Sequence, residues 1–313
     1  MSIKDLKFLP ITINDKPVFD AFFSNNDSIS SVNDFSTVFC WNVSGQARYA
    51  IVDDDVLLIY NIYDGKKVYY FPISKSKRNI RPYVELIWEL EDCNCHYIAQ
   101  AEESALEQIK DIKNYKLIQD RDFSDYIYLT KDLTELKGKK YHAKRNHLNK
   151  FIKTYKYIFR EYTDDDYRQC IDLYDLWLEN SAASPLYEKT AMELALNNYK
   201  ALGLKIGVIE IDGKIRAFSI NSILPNKKAG NVLFEKADIT FDGIFAAINN
   251  FSVKAFMQDV EYVNRQEDMG IEGLRKAKLS YNPAFILTKY KLICQKDKNF
   301  SDKKTSEQLT SLR

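Results

Sequence analysis

The chain has 313 residues, with 45 Lys or Arg against 44 Asp or Glu, a formal net charge of +1 and 45% hydrophobic residues. That length suffices for two ordinary domains with buried cores, and the near-cancelling charge excludes a whole-molecule field steering it to nucleic acid or membrane, so any basic site must be local. No run is long and apolar enough for a membrane span and no targeting segment is recognisable, so a cytoplasmic protein is expected. Cys40, Cys93, Cys95, Cys170 and Cys294 are scattered and odd in number, which fits reduced thiols. Cys93, Cys95 and His96 have no second cluster to complete a zinc site, so no metal is expected.

In chain order, a polar loop over 25–33 precedes a short helix over 35–41 and strands over 48–52, 56–62 and 67–73. Asp64-Gly65 reads as a hairpin turn, because Gly accepts the positive φ such turns require. A helix over 83–90, a strand over 96–100, a helix over 104–112 and strands over 115–119 and 125–129 complete a mixed sheet with helices, giving a first domain over 1–136.

Gly138 breaks the pattern. From Lys139 or Lys140 onward, Leu148, Phe151, Ile152 and Tyr155 recur at helical spacing and predict a helix over 139–155. One turn back the apolar stripe meets Lys144 and Arg145, so the helix directs cations toward its packed side. There they suit a phosphate or carboxylate in a cleft, Arg by its planar fork and Lys as a point charge; equally, their stems would lie over a neighbour with the charges in solvent. Residues 131–160 carry ten Lys or Arg against Asp132 and Glu135, which makes this stretch the local basic patch.

The second half begins with a strand over 157–162, then Thr163 as an N-cap with Asp164, Asp165 and Asp166 in the first helical turn. Cys170, Ile171, Tyr174, Trp177 and Leu178 make that helix amphipathic. Thr190 to Glu193 reads as a capping box opening a helix that Gly203 closes. Strands over 205–211, 214–223 and 231–239 follow, the first two joined by Asp212-Gly213. A helix over 243–259, a strand over 261–264, a helix over 271–279 and a strand over 285–294 end a second domain over 137–297, before a polar tail over 298–313.

The segments DRDFSDYIYL, LKGKKYHAKRNHLNKF, FEKADITFDGIFAAIN and VNRQEDMGIEGLRKAKLSYNP resemble the bacterial phosphatidylglycerol lysyltransferase C-terminal domain family, in its short soluble members, from about residue 30 to about residue 294. The resemblance implies an α/β fold of two tandem GNAT-like domains (the acyl-CoA N-acyltransferase fold), with mixed sheets flanked by helices. It is also similar, more distantly, to the Fem-type aminoacyl transferases of peptidoglycan synthesis. The second-half order of strand, two helices, three strands, helix, strand, helix, strand agrees with a GNAT domain.

In GNAT enzymes the acyl-CoA pyrophosphate lies on backbone amides at a Gln/Arg-x-x-Gly-x-Gly/Ala loop. The corresponding residues 240–247 lack the basic residue and second glycine, and Asp242 is placed to cap the helix and repel a phosphate. Glu235 shares a strand face with Leu233, Ala237 and Ile239, which would raise its pKa and suit a general base; pairing with Lys236 or a nearby Arg is the alternative. Asn264, Arg265, Gln266, Glu267 and Asp268 crowd a loop closed by Gly270, with Arg275 and Lys278 on the following helix. By resemblance, Arg265 and Arg275 bind phosphate and Tyr281 donates a proton to a leaving group; an ion-pair network of Arg265, Arg275, Glu267 and Asp268 is the alternative. Lys140, Lys144, Arg145, Lys236 and Asp238 join Asn264, Arg265, Glu267, Asp268, Arg275 and Lys278 as the substrate-binding set. His142 and His147 face apart on their helix and form no metal pair.

The expected function is an acyltransferase that moves an aminoacyl group from aminoacyl-tRNA onto an amine or hydroxyl of a small-molecule or lipid acceptor, with the basic helix tracking the acceptor-stem phosphates. Acyl-CoA as donor in an N-acetyltransferase, and a non-catalytic module binding a small anion or a partner, are the alternatives. The first half is expected to be inert scaffold.

Overall fold

A computed structural model describes residues 6–92, 94–112, 115–179 and 187–295. The first half contains strand β1 (Leu9–Pro10), helices α1 (Lys16–Phe23) and α2 (Phe35–Cys40), strands β2 (Arg48–Val52), β3 (Val56–Tyr63), β4 (Lys66–Tyr70) and β5 (Ile73–Ser74), helix α3 (Arg81–Leu90), strand β6 (Tyr97–Glu102), helix α4 (Glu103–Ile109) and strand β7 (Tyr115–Gln119). Asp64 and Gly65 take φ values of 49° and 73°, the consecutive left-handed residues that let a two-residue turn follow the twist of its strands. Helix α1 adds to the predicted elements; its first turn carries Pro17 and it buries Phe19, Phe22 and Phe23.

The second half runs β8 (Asp125–Leu129), α5 (Thr130–Glu135), α6 (His142–Thr154), β9 (Ile158–Glu161), α7 (Tyr167–Glu179), α8 (Glu188–Leu202), β10 (Lys205–Ile211), β11 (Lys214–Ile223), β12 (Ala229–Ala237), α9 (Ile244–Phe256), β13 (Tyr262–Asn264), α10 (Glu272–Leu279), β14 (Phe285–Leu287) and β15 (Lys289–Cys294). Thr163 is a capping residue: its N and Oγ1 donate to Asp166 Oδ2 at 2.8 and 3.1 Å. Thr190 is not. Helix α8 already begins at Glu188, whose carboxylate meets the helix dipole in the first turn, while Gly203 closes the helix in the left-handed region.

The architecture is α/β, two mixed sheets flanked by helices, as two tandem GNAT-like units require. The first sheet orders its strands β1-β2-β3-β4-β6-β15-β7, with β5 beside β3; the second is β14-β8-β13-β12-β11-β10-β9. Strands β4 and β6 run parallel, as do β12 and β13.

The sheets do not divide at residue 136. Strand β8, predicted within the first domain, pairs with β13 and β14 in the second sheet. The predicted strand over 285–294 breaks after Leu287 into β14, in the second sheet, and β15, which inserts between β6 and β7 of the first. Alternation along the chain identifies a strand without saying which sheet receives it. The exchange is pinned by burial: Lys289 Nζ on β15 lies 2.7 Å from Asp125 Oδ1 on β8, with side chains 1% and 0% exposed. Asp125 also accepts from Ser31 N at 2.7 Å, Ser31 Oγ at 3.0 Å and Asn264 Nδ2 at 2.8 Å. Three segments from both halves thus satisfy one carboxylate.

The halves also share their largest apolar core. Phe19, Phe23, Phe35 and Leu57 of the first half pack in one cluster with Tyr174, Met192, Phe218 and Phe234 of the second. Cys40, Cys95 and Cys170 are buried in the core. Cys294 is disulfide-bonded, which corrects the expectation of reduced thiols throughout; the strand exchange moves it into a first-sheet neighbourhood that chain position does not reveal. Cys93 and the tail over 298–313 lie outside the described residues. Among the described residues no helix is long and apolar enough to cross a membrane.

Candidate functional site

Strands β12 and β13 pair only through residues 229–231 and 262–264, and then diverge. The register of β12 against β11 shifts between Ile220 and Asn221, so β12 carries a bulge. Leu233 and Phe234 consequently both join the core shared with the first half, and Glu235 turns the other way, toward α9. The bulge parts Glu235 from Leu233, with which it was expected to share a face, and leaves it with Ala237 on the α9 side, because it interrupts the period of two. Its neighbours are polar rather than aliphatic. Oε1 accepts from Arg265 Nη2 at 2.9 Å and Oε2 from Asn249 Nδ2 at 3.1 Å, with Arg265 and Glu235 side chains 12% and 10% exposed. Glu235 is therefore a paired carboxylate bridging the splay, the pairing with a nearby Arg that stood as the alternative to a general base.

Around this pair, Tyr281 is buried and flanked by two cations. The Arg265 guanidinium lies 4.6 Å and Lys144 Nζ 4.0 Å from its ring centroid. Burial, with the Arg265 charge beside it, pushes the Lys144 ammonium down to about 8, and burial pushes the Tyr281 phenol up to about 12. Arg145 leaves this cluster. Its Nη1 donates to the carbonyls of Leu136 and, at 3.2 Å, Gly138, closing the end of α5, so its expected anion role gives way to satisfying orphan carbonyls. Lys140 lies 3.1 Å from Asp132, which also accepts from the Tyr141 hydroxyl at 2.9 Å.

The loop after β13 is strained and heavily tied down. Gln266 and Met269 adopt φ of 58° and 51°, left-handed positions that cost non-glycine residues on the order of 1 kcal/mol or more each. Asn264 Oδ1 accepts from Gln266 N at 2.6 Å, and the buried ammonium of Lys278 donates to the carbonyls of Arg265, at 2.6 Å, and Glu267. Asp268 receives Arg275 Nε and Nη2, each at 2.8 Å, and the Tyr126 hydroxyl, while Arg275 Nη2 also reaches Asp122 at 2.7 Å. Arg275, expected with Arg265 to bind phosphate, instead joins Asp268 and Asp122 as the alternative ion-pair network had it, and Lys278, placed in the substrate-binding set, holds loop carbonyls.

Glu267 stands outside that network. Among the described residues it forms no ion pair, and its charge is felt by Tyr63 and Tyr70 of the first half. Burial pushes Glu267 above the usual carboxylate range, and likewise raises Glu102 and the Tyr63 and Tyr70 phenols. All four residues nevertheless keep partial solvent contact. Carboxylates beside phenol rings are a recognition surface for an ammonium group. Sequence reasoning named Glu267 with the phosphate-binding loop and missed Tyr63, Tyr70 and Glu102, because nothing in the spacing of β3, β4 and β6 brings them to the later loop.

The remaining predicted residues lie elsewhere. Lys236 pairs with Glu188, not Glu235: Nζ is 2.9 Å from both carboxylate oxygens and 3.4 Å from the Trp177 ring centroid. Asp238 shapes a turn, accepting from Thr240 N at 3.0 Å and Oγ1 at 2.6 Å, and from Arg216 Nη1 at 3.1 Å. Asp242 does not cap α9; it faces α6, against Lys150 and with His147 Nδ1 at 3.5 Å. The cap is Gly243, with φ 84°, and a Cβ there would overlap the His147 carbonyl and lie 3.2 Å from Phe151 Cβ. Helix α6 therefore sits on the α9 N-terminus. In the first half, the turn from β4 toward α3 wraps an internal anion instead: Ser74 Oγ, Ser76 N, Ser76 Oγ and Arg78 Nε approach the Asp55 carboxylate at 2.7 to 2.9 Å.

Known proteins share this architecture. Residues 26–293 match the family model described as phosphatidylglycerol lysyltransferase, C-terminal. The crystal structure of a conserved protein of unknown function from Bacteroides thetaiotaomicron aligns with TM-score 0.85 at 33% identity, covering 92% of this chain and 99% of that one. L-PGS from Bacillus licheniformis aligns with TM-score 0.68 at 16% identity, covering 95% of this chain and 96% of that one. An uncharacterised protein of Mycoplasmoides gallisepticum is 28% identical over 247 residues, 73% of this chain and 76% of its own length.

Proposed function

The chain belongs to the phosphatidylglycerol lysyltransferase C-terminal family, and from that premise we propose that it transfers an aminoacyl group from aminoacyl-tRNA to an amine or hydroxyl acceptor. The observation that carries the proposal is the Glu267 carboxylate, partly exposed, without an ion pair among the described residues and raised by burial, whose charge acts on Tyr63 and Tyr70 and suits an amine-bearing substrate. In this reading Glu267 takes the role expected of Glu235. Its carboxylate removes the proton of the attacking N–H or O–H, the new bond forms at the ester carbonyl, and the bond to the ribose oxygen breaks. The proton passes from Glu267 to that departing oxygen, so atoms and charge balance without a covalent enzyme intermediate. Lys278 and Asn264 are positioning residues, holding the strained loop that presents Glu267.

Two features speak against an acyl-CoA donor. Helix α6 covers the α9 N-terminus at Gly243, and Asp55 fills the anion cradle of the first half. Exposed lysines of the basic patch, among them Lys139, Lys153 and Lys156, would instead follow the phosphates of a tRNA acceptor stem. The first half is then more than scaffold, because it supplies Tyr63 and Tyr70.

The test is a transfer assay. Protein is incubated with tRNA charged with a labelled amino-acid mixture and with small-molecule and lipid fractions as acceptors. We expect label to leave tRNA for one fraction, and Glu267→Gln to slow this by roughly a hundredfold or more, in line with loss of a general base. Absence of transfer from every charged tRNA, together with thermal stabilisation by acetyl-CoA, would overturn the proposal.

A further inference from the structure

The left-handed turn at Gln266 sends its two neighbours in different directions: Glu267 toward the first half and Arg265 beneath α6. Under that helix positive charge is in excess. Arg265 and Lys144 flank the Tyr281 ring at 4.6 and 4.0 Å, and Glu235 is the carboxylate between them, engaged by Arg265 Nη2 at 2.9 Å. Arg265 Nη1 is buried and makes no hydrogen bond. Lys144, half-buried, forms no ion pair among the described residues; the charges acting on it are Arg265 and Glu235. A buried N–H without an acceptor is costly, and neighbouring buried cations repel. One bound anion would relieve both.

We propose that Arg265 Nη1 and Lys144 Nζ, on either side of Tyr281, form a site for a singly charged oxyanion, a carboxylate or phosphodiester, at the splay between β12 and β13. Two cations and one carboxylate leave a single positive charge, which matches a monoanion, whereas the Glu235 carboxylate on the same guanidinium repels a dianion. Arg offers its free edge to one oxygen and Lys a point charge to the other. Partial exposure of Lys144 gives entry from the α6 side. The site is separate from Glu267 and from its chemistry.

Calorimetry and melting measurements on the full chain test this with two probes, acetate and the dinucleotide cytidylyl-adenosine, against sodium chloride at matched ionic strength. At least one probe is expected to bind and stabilise beyond chloride. Acetate alone identifies a carboxylate site, and the dinucleotide alone a phosphodiester site. Lys144→Met should weaken that binding by about tenfold or more, the loss of one charge-assisted hydrogen bond, while the exposed Lys150→Met leaves it unchanged. Arg265→Gln alone would strand Glu235, so the double variant Arg265→Gln, Glu235→Gln serves as the second test and should abolish binding. Failure of both probes to exceed chloride, or unchanged affinity in Lys144→Met and the double variant, would overturn the site. Failure of both probes to bind a protein that still transfers the aminoacyl group would refute this inference and leave the proposed function standing.

Discussion

The backbone carbonyl of His147 in α6 is seated directly on Gly243 at the start of α9. The helix that carries the basic patch is therefore also the element that closes the α9 N-terminus to a phosphate. Gly243→Ala should destabilise the fold by more than ~1 kcal/mol from the left-handed φ alone, with roughly 1–3 kcal/mol more from the overlap with α6. Urea midpoints at constant slope will measure it; a neutral substitution would mean that α6 is not pressed onto α9.

The buried pair Asp125 and Lys289 should behave as a joint between the sheets. Lys289→Met leaves an unpaired carboxylate at 0% exposure, and breaking a buried pair this way costs about 3–5 kcal/mol. The double variant with Asp125→Asn should recover part of that loss in equilibrium unfolding. Equal losses in the single and double variants would show that the charge is not what matters there.

Glu267 gives a pH dependence of definite sign. An unfolded glutamate titrates near about 4.3, and burial raises the value in the fold. Between the two values the native state binds more protons than the unfolded chain, so the Glu267 contribution to stability falls as pH rises through that window. Relative to Glu267→Gln, the wild type should lose stability between acidic and neutral pH, read from paired denaturation curves. A difference that grows with pH in favour of the wild type would contradict a raised carboxylate.

If the basic patch follows tRNA phosphates, affinity should fall linearly with salt on a double-logarithmic scale, by about 0.9 per duplex phosphate contacted. Replacing the exposed Lys139, Lys153 and Lys156 with Gln should flatten the slope by roughly two to three. Filter binding across a salt series decides it, and an unchanged slope removes α6 from the tRNA contact.

Local chemistry made most elements legible. Asp64-Gly65, Asp212-Gly213, Thr163 and Gly203 announce their turns and caps because each answers a backbone need within a few residues. Partners across the fold were not legible. The bulge at Leu233 parted that residue from Glu235, Arg145 found the carbonyls of a helix too short to be noticed, and Glu188 took Lys236 from across the second half. Of the site, the loop over 264–268 was visible as a concentration of polar residues. Which of its charges would be neutralised internally and which would stay available depended on Asp122, Asn249, Tyr63 and Tyr70, all distant in sequence.

The insertion of β15 between β6 and β7 has a consequence for biosynthesis. As the polypeptide leaves the ribosome, the first sheet must wait with a gap until residues 289–294 emerge, although its other strands were made long before. Until then β6 and β7 lack their shared neighbour, and the exposed strand edges make the nascent first half prone to aggregation rather than an early-folding domain. A stop codon anywhere before residue 289 should send the whole product to proteolysis instead of yielding a usable fragment.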